Sequence, residues 1–236
     1  MFYGGKKLLA VGGLIFLSYA PAVSAAAGKT HVIAFGKSMT VQTGAEAAGA
    51  VAKEKAGTMK VRPLLVDGRV KEFALGSAHD VTDRLFVVRR AFRINDNLPQ
   101  EASAPHWEWE AGGWLLVDRV TGRVSAVNLP EFDATHSEVS WYRDYAAYCG
   151  VSDDGKNEYE MVAEINRRKP MVKNLVKEEK SAKERGRAES CSDPVWQRNP
   201  TRVRFAGELA GEREYVIRGH AADLLSEDES GEEAEK

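Results

Sequence analysis

In the run His106-Trp107-Glu108-Trp109-Glu110, aromatic and acidic side chains alternate one by one. On an extended strand, successive side chains project to opposite faces, so Trp107 and Trp109 share one face and Glu108 and Glu110 the other. Two indoles on one face can form a stacking platform for a sugar ring or a peptide. Two carboxylates can act as the acid and base of glycoside hydrolysis, provided that a cleft sets the right gap between them. Each pair also has a plainer use. Indoles carry large apolar areas that a core buries, and glutamates on an open strand face are simply solvated. Trp114, Trp141 and Tyr142 extend the aromatic set, and Trp107 is its member expected at the surface.

The remaining reactive residues are sparse. His31, His79, His106, His136 and His220 include no pair at an i, i+4 ligand spacing, and no cysteine stands near any of them. No metal site is expected. His79-Asp80 could be a base and its orienter, but neighbours on a strand point apart, so the pair reads as turn chemistry. No Gly-x-Ser-x-Gly elbow and no phosphate-cradling glycine loop occurs, and no cofactor is expected. Cys149 and Cys191 are the only cysteines. In an oxidising compartment such a pair forms a disulfide, and the competing reading is a reactive thiol at Cys149.

The N-terminus names that compartment. Lys6 and Lys7 precede an uncharged apolar run from Leu8 to Ala20, Pro21 breaks it, and Val23-Ser24-Ala25 supplies small residues for cleavage. This is the three-part layout of a secretory signal peptide over residues 1–25, cleaved after Ala25 or Ala27. The apolar run is shorter than the roughly 20 residues of a membrane-spanning helix, so no membrane span is expected after cleavage. The location expected is the periplasm or the extracellular medium. Loss of Lys6 and Lys7 takes the formal net charge from −2 to −4. That balance and export argue against nucleic acid as a partner.

The elements that must position these residues are strands. His31 to Phe35 is a first short strand, and residues 38–58 read as a loop or loose helix. Val61–Val66 and Arg69–Leu75 flank Asp67-Gly68, a tight hairpin signal. Residues 76–83 read as a polar link, and Leu85–Ile94 as a long strand with Phe86, Val88, Phe92 and Ile94 on one face. Trp114–Asp118 and Arg123–Leu129 flank a turn at Thr121-Gly122. Glu138–Cys149 is a strand interrupted at Arg143-Asp144, and Glu158–Ile165 alternates with Tyr159, Met161, Ala163 and Ile165 inward. Lys173–Glu189 is dominated by Lys, Glu, Arg and Ala and predicts a charged helix or flexible insertion. Thr201–Phe205 and Glu212–Arg218 form a further hairpin, and residues 221–236 form an acidic tail that cannot bury apolar area. The fold class expected is mainly β, a single domain over 29–220 of antiparallel blade-like sheets or a sandwich.

The stretch Leu116-Val117-Asp118-Arg119-Val120-Thr121-Gly122-Arg123-Val124 is similar to the outer hairpin of TolB-type and WD-type β-propeller blades, where Asp-x-x-Thr-Gly makes the turn. Ser140-Trp141-Tyr142-Arg143-Asp144-Tyr145 resembles the start of a following blade, with Arg143 and Tyr145 in place of that family's Pro and Gly. The resemblance covers about residues 114–173 and implies blade-like sheets. A ring needs at least four blades of about 40 residues, so an incomplete propeller is expected. The chain as a whole is similar to a family of exported bacterial proteins, which implies export and no particular activity. These readings favour a non-enzymatic binding or scaffolding module with an envelope protein or glycan as partner. The alternative is a periplasmic hydrolase or carbohydrate-binding protein using Trp107, Glu108, Trp109 and Glu110.

Overall fold

The computed structural model describes residues 30–43, 57–95, 97, 107–153, 157–165, 167–176, 193–207 and 211–225. Residues 1–25, expected from sequence to be a signal peptide, Cys191 and residues 226–236 lie outside these. Fifteen strands and no helix make up the regular structure of the described residues. They form three antiparallel sheets.

The first sheet contains β1 (Ile33–Phe35), β2 (Met39–Gln42), β3 (Thr58–Val66), β4 (Arg69–Asp80), β5 (Leu85–Asn95), β6 (Trp107–Asp118) and β7 (Val124–Val127). Its order is β1-β3-β4-β5-β6-β7, with β2 also on β3. Asp67 and Gly68 join β3 to β4 with φ of 52° and 76°, the left-handed pair that a two-residue hairpin turn requires. The sheet curls without closing into a barrel. Its curl brings Thr43 into an isolated bridge with Trp109. A β-carbon on Gly122 would lie 2.9 Å from both His31 and Val66, so only glycine lets the β6–β7 turn approach β1 and β3.

The second sheet is the meander β8 (Val139–Tyr142), β9 (Tyr145–Val151), β10 (Glu158–Glu164) and β11 (Val172–Val176). The third is the meander β12 (Val195–Gln197), β13 (Arg202–Gly207), β14 (Gly211–Arg218) and β15 (Ala221–Leu224). The second sheet is the middle layer of a stack, because both of its faces are buried. Ala146, Tyr148, Met161, Ala163 and Ile165 pack with Val87 and Trp114 of the first sheet. Ala147, Val162 and Val172 pack with Val203, Phe205, Tyr215 and Ile217 of the third. A third cluster, Leu64, Ala74, Phe86, Val88, Leu115 and Val117, lies on the opposite face of the first sheet. Each large side chain withdrawn from water in this way contributes about 1.5–3 kcal/mol. The stack ends at the third sheet, whose outer face carries a charge ladder of Arg202–Glu214 at 3.0 Å, part-buried, and Arg204–Glu212 at 3.2 Å, exposed.

Four expectations from sequence change. The charged helix or flexible insertion expected over Lys173–Glu189 does not begin at Lys173, because Lys173–Val176 belong to β11 and pair with β10; residues 177–189 lie outside the described set. The loop or loose helix expected at 38–58 contains β2, whose residues pair with β3. The link expected at 76–83 is shorter, since β4 continues to Asp80 through an irregularity between Leu75 and His79. The tail expected from residue 221 does not begin there, because Ala221–Leu224 form β15 on β14; residues 226–236 lie outside the described set. In each case cross-strand pairing orders a segment whose own side chains carry little apolar signal.

Candidate functional site

The tryptophan–glutamate strand is β6. Its alternation is preserved up to Gly112-Gly113, where two residues stand opposite Arg90 alone, so that Ala111 pairs with Ala91 and Trp114 with Arg89. This is a β-bulge. Its effect is to put Trp114 on the same face as Trp107 and Trp109, although an unbroken strand would set it opposite. Trp114 enters the core between the first two sheets, in edge contact with Trp141 at 5.1 Å. The His79 ring stacks on Trp141 at 6.0 Å, and its Nε2 lies 2.9 Å from the Arg143 carbonyl oxygen. Trp109 is half-buried against Phe73, whereas Trp107 is 55% exposed. The Arg93 guanidinium lies 5.6 Å from the Trp107 ring and 5.5 Å from the Trp109 ring. Glu108 and Glu110 pair with Ile94 and Phe92 on the other face. The structure therefore does not bring the indoles and carboxylates to one surface.

The carboxylates that are buried lie elsewhere, and alternation along β10 places them toward the third sheet. Glu160 is 1% exposed. It accepts hydrogen bonds from Tyr215 Oη at 2.8 Å, Asn174 Nδ2 at 2.9 Å and Arg213 Nη1 at 3.0 Å. Burial, then the contact with Glu160, pushes the Tyr215 hydroxyl pKa up. Glu164 accepts from Arg167 Nε and lies 2.8 Å from His220 Nδ1. Sequence alternation placed these glutamates opposite Met161 and Ala163, but nothing in it shows that a third sheet covers them. Their partners come from β11, β14, the β10–β11 connection and the β14–β15 turn, and they act as an inter-sheet lock.

An open concave surface lies at the boundary of the first two sheets. Ile165 is fixed by its backbone N–H bond to the Asp144 carbonyl at 2.9 Å, and Met171 N–H returns to Val162 O at 2.7 Å. The connection from β10 to β11 is thereby held beside β7, presenting Arg167, Arg168 and Lys169 as exposed side chains. Among the described residues, Arg168 and Lys169 make no ion pair. A cavity of about 180 Å³ runs between Ser125–Asn128 at the β7 edge and Ile165, Arg167 and Arg168, with Leu116 also in its wall. Ile165 and Arg167 also wall a second, open cavity of about 600 Å³, bordered by Val81, Thr82, Leu85, Arg143, Asp144 and Glu164. Arg143 has φ of 53°, uncommon for a side chain of its size.

The hairpin that presents β7 is rigidly built. Asp118 accepts from Arg84 Nε at 2.9 Å and also from Arg84 Nη2, and it caps the Val120 N–H at 2.8 Å. The Arg84 guanidinium holds the Asp118 carboxyl well below the usual carboxylate range. Among the described residues, β7 is the last strand of its sheet and pairs with β6 alone. Alternate residues of such a strand direct N–H and C=O groups away from the sheet.

Among the described residues no group of three or more His, Cys, Asp or Glu side chains could hold a metal ion. Also among the described residues, no helix is long and apolar enough to cross a membrane. Cys149 is half-buried in β9; its expected partner lies outside the described set. No family model, no curated protein and no solved structure matches this chain.

Proposed function

We propose that this chain is an exported, non-enzymatic binding or scaffolding module that takes up an extended polypeptide as an added strand along β7. The observation that carries this reading is the edge of β7: among the described residues it pairs with β6 alone, and it forms one wall of a cavity. Strand addition gains affinity from main-chain hydrogen bonds and specificity from pockets for alternate side chains. Leu116 and Ile165 offer apolar contact on that wall. The partner that fits is an envelope protein met in the periplasm or outside the cell. The signal-peptide layout of residues 1–25 and the cysteine pair support that location, with Cys149 joined to Cys191 across the β11–β12 connection. The two four-stranded meanders stacked face to face support reading them as blades of an incomplete propeller.

Hydrogen exchange tests the proposal. An extended peptide bound to the mature protein should slow exchange of the outward amides of Val124–Val127. Protection confined to the Trp107 region would sink it.

Glycan binding is the second reading, favoured by one observation. The Trp107 ring is exposed and flanked by Arg93, so a sugar could stack on it. Glu108 and Glu110 take no part in that platform. Trp107→Ala should abolish glycan retention if this reading holds, and unchanged retention would remove it.

A further inference from the structure

Resting on the strand-addition reading, the structure assigns a chemistry to the added segment: we propose that it is acidic. The cavity beside β7 is walled by Arg167 and Arg168 and by no carboxylate. Lys169 follows them in the same connection, and Arg143 borders the adjoining cavity. Asp144 and Glu164 also border that second cavity, but Glu164 is engaged by Arg167 and by His220. Arg167 is balanced by Glu164 in turn, so the positive excess on the β7 side is that of Arg168 and Lys169. A chain laid along β7 projects alternate side chains to one face of the sheet, and those on the cavity face meet Ile165 and the arginine row. Arginine is suited to this because its planar fork grips a carboxylate with two parallel hydrogen bonds. Arg168 and Lys169 make no ion pair among the described residues, so an acidic segment needs to displace no carboxylate from them. A lysine-bearing segment would meet like charge there, which selects against it.

The mature chain is titrated with fluorescein-labelled peptides of about ten residues, in which valine alternates with aspartate, serine or lysine. The aspartate peptide should bind roughly tenfold or more tightly than the serine peptide, and the lysine peptide more weakly than either. The preference should vanish in about 1 M salt, where charges are screened beyond roughly 3 Å. It should vanish also in the double variant Arg168→Glu/Lys169→Glu, with Arg168→Gln as the milder change should the double reversal alter the circular dichroism. Equal binding of the aspartate and serine peptides overturns this inference and leaves strand addition standing. Failure of all three peptides to bind overturns both. Removal of residues 226–236 is the remaining arm. Aspartate-peptide affinity unchanged by that removal supports an external partner, whereas a roughly tenfold gain assigns the groove to the chain's own acidic end and overturns it.

Discussion

Glu160 receives three hydrogen bonds, two from β14 of the third sheet and one from the neighbouring strand β11, at a depth where water cannot replace them. A buried charge left without its partners costs more than the pair itself contributes. Arg213→Ala should therefore destabilise the protein by about 3–5 kcal/mol in denaturant titration. Tyr215→Phe, which removes one donor, should cost nearer 1–3 kcal/mol. Equal, small losses for both would show that Glu160 is not a lock. Tyrosine titration gives a second test. Burial raises the hydroxyl pKa of Tyr148, with the Glu131 charge adding to it, and burial with the Glu160 contact raises that of Tyr215. A raised folded pKa means that this contribution to stability is whole below the unfolded value of roughly 10 and is lost above it. Stability should thus fall as pH rises past about 10, and two tyrosines should ionise only as the chain unfolds. Ionisation of every tyrosine while the protein is still folded would contradict the burial of these two.

The strands were legible where local signals agree with the fold. Asp67-Gly68 marks its hairpin through left-handed backbone, and Met161, Ala163 and Ile165 mark a buried face through alternation. Three features were not legible. The bulge at Gly112-Gly113 reverses the face of Trp114, and glycines alone do not reveal which way the register moves. β2 and β15 are ordered by pairing rather than by their own apolar content. The arginine groove joins β7 to residues some forty positions later, an approach that periodicity does not contain. Gly150 is a useful probe of the packing between elements. A β-carbon there would lie 2.8 Å from Met161 and 3.0 Å from the Glu131 carbonyl oxygen. Gly150→Ala should cost about 1–3 kcal/mol through overpacking, read as a lower denaturation midpoint. An unchanged midpoint would show that the Glu131 turn can move aside.

At the scale of the whole molecule, three sheets stack so that the middle one is buried on both faces and the last ends in a charge ladder. That arrangement fixes the connection between β10 and β11 against β7 and produces the groove. The proposed compartment makes its own predictions. The exported protein should begin after Ala25 or Ala27, and it should show no reactive thiol before reduction. Closing a loop of about 40 residues, the bridge contributes up to roughly 4 kcal/mol in the chain-entropy model. Cys149→Ser with Cys191→Ser should lower stability by no more than that, and free thiols in the exported protein would refute the bridge.

Strand addition is tested most directly by the backbone of the peptide. Only one edge of an added strand faces β7, so N-methylation of alternate residues should matter in one phase and not in the other. One phase of methylation should abolish binding of the acidic peptide while the other leaves it nearly unchanged. Equal tolerance of both phases would contradict strand addition at β7.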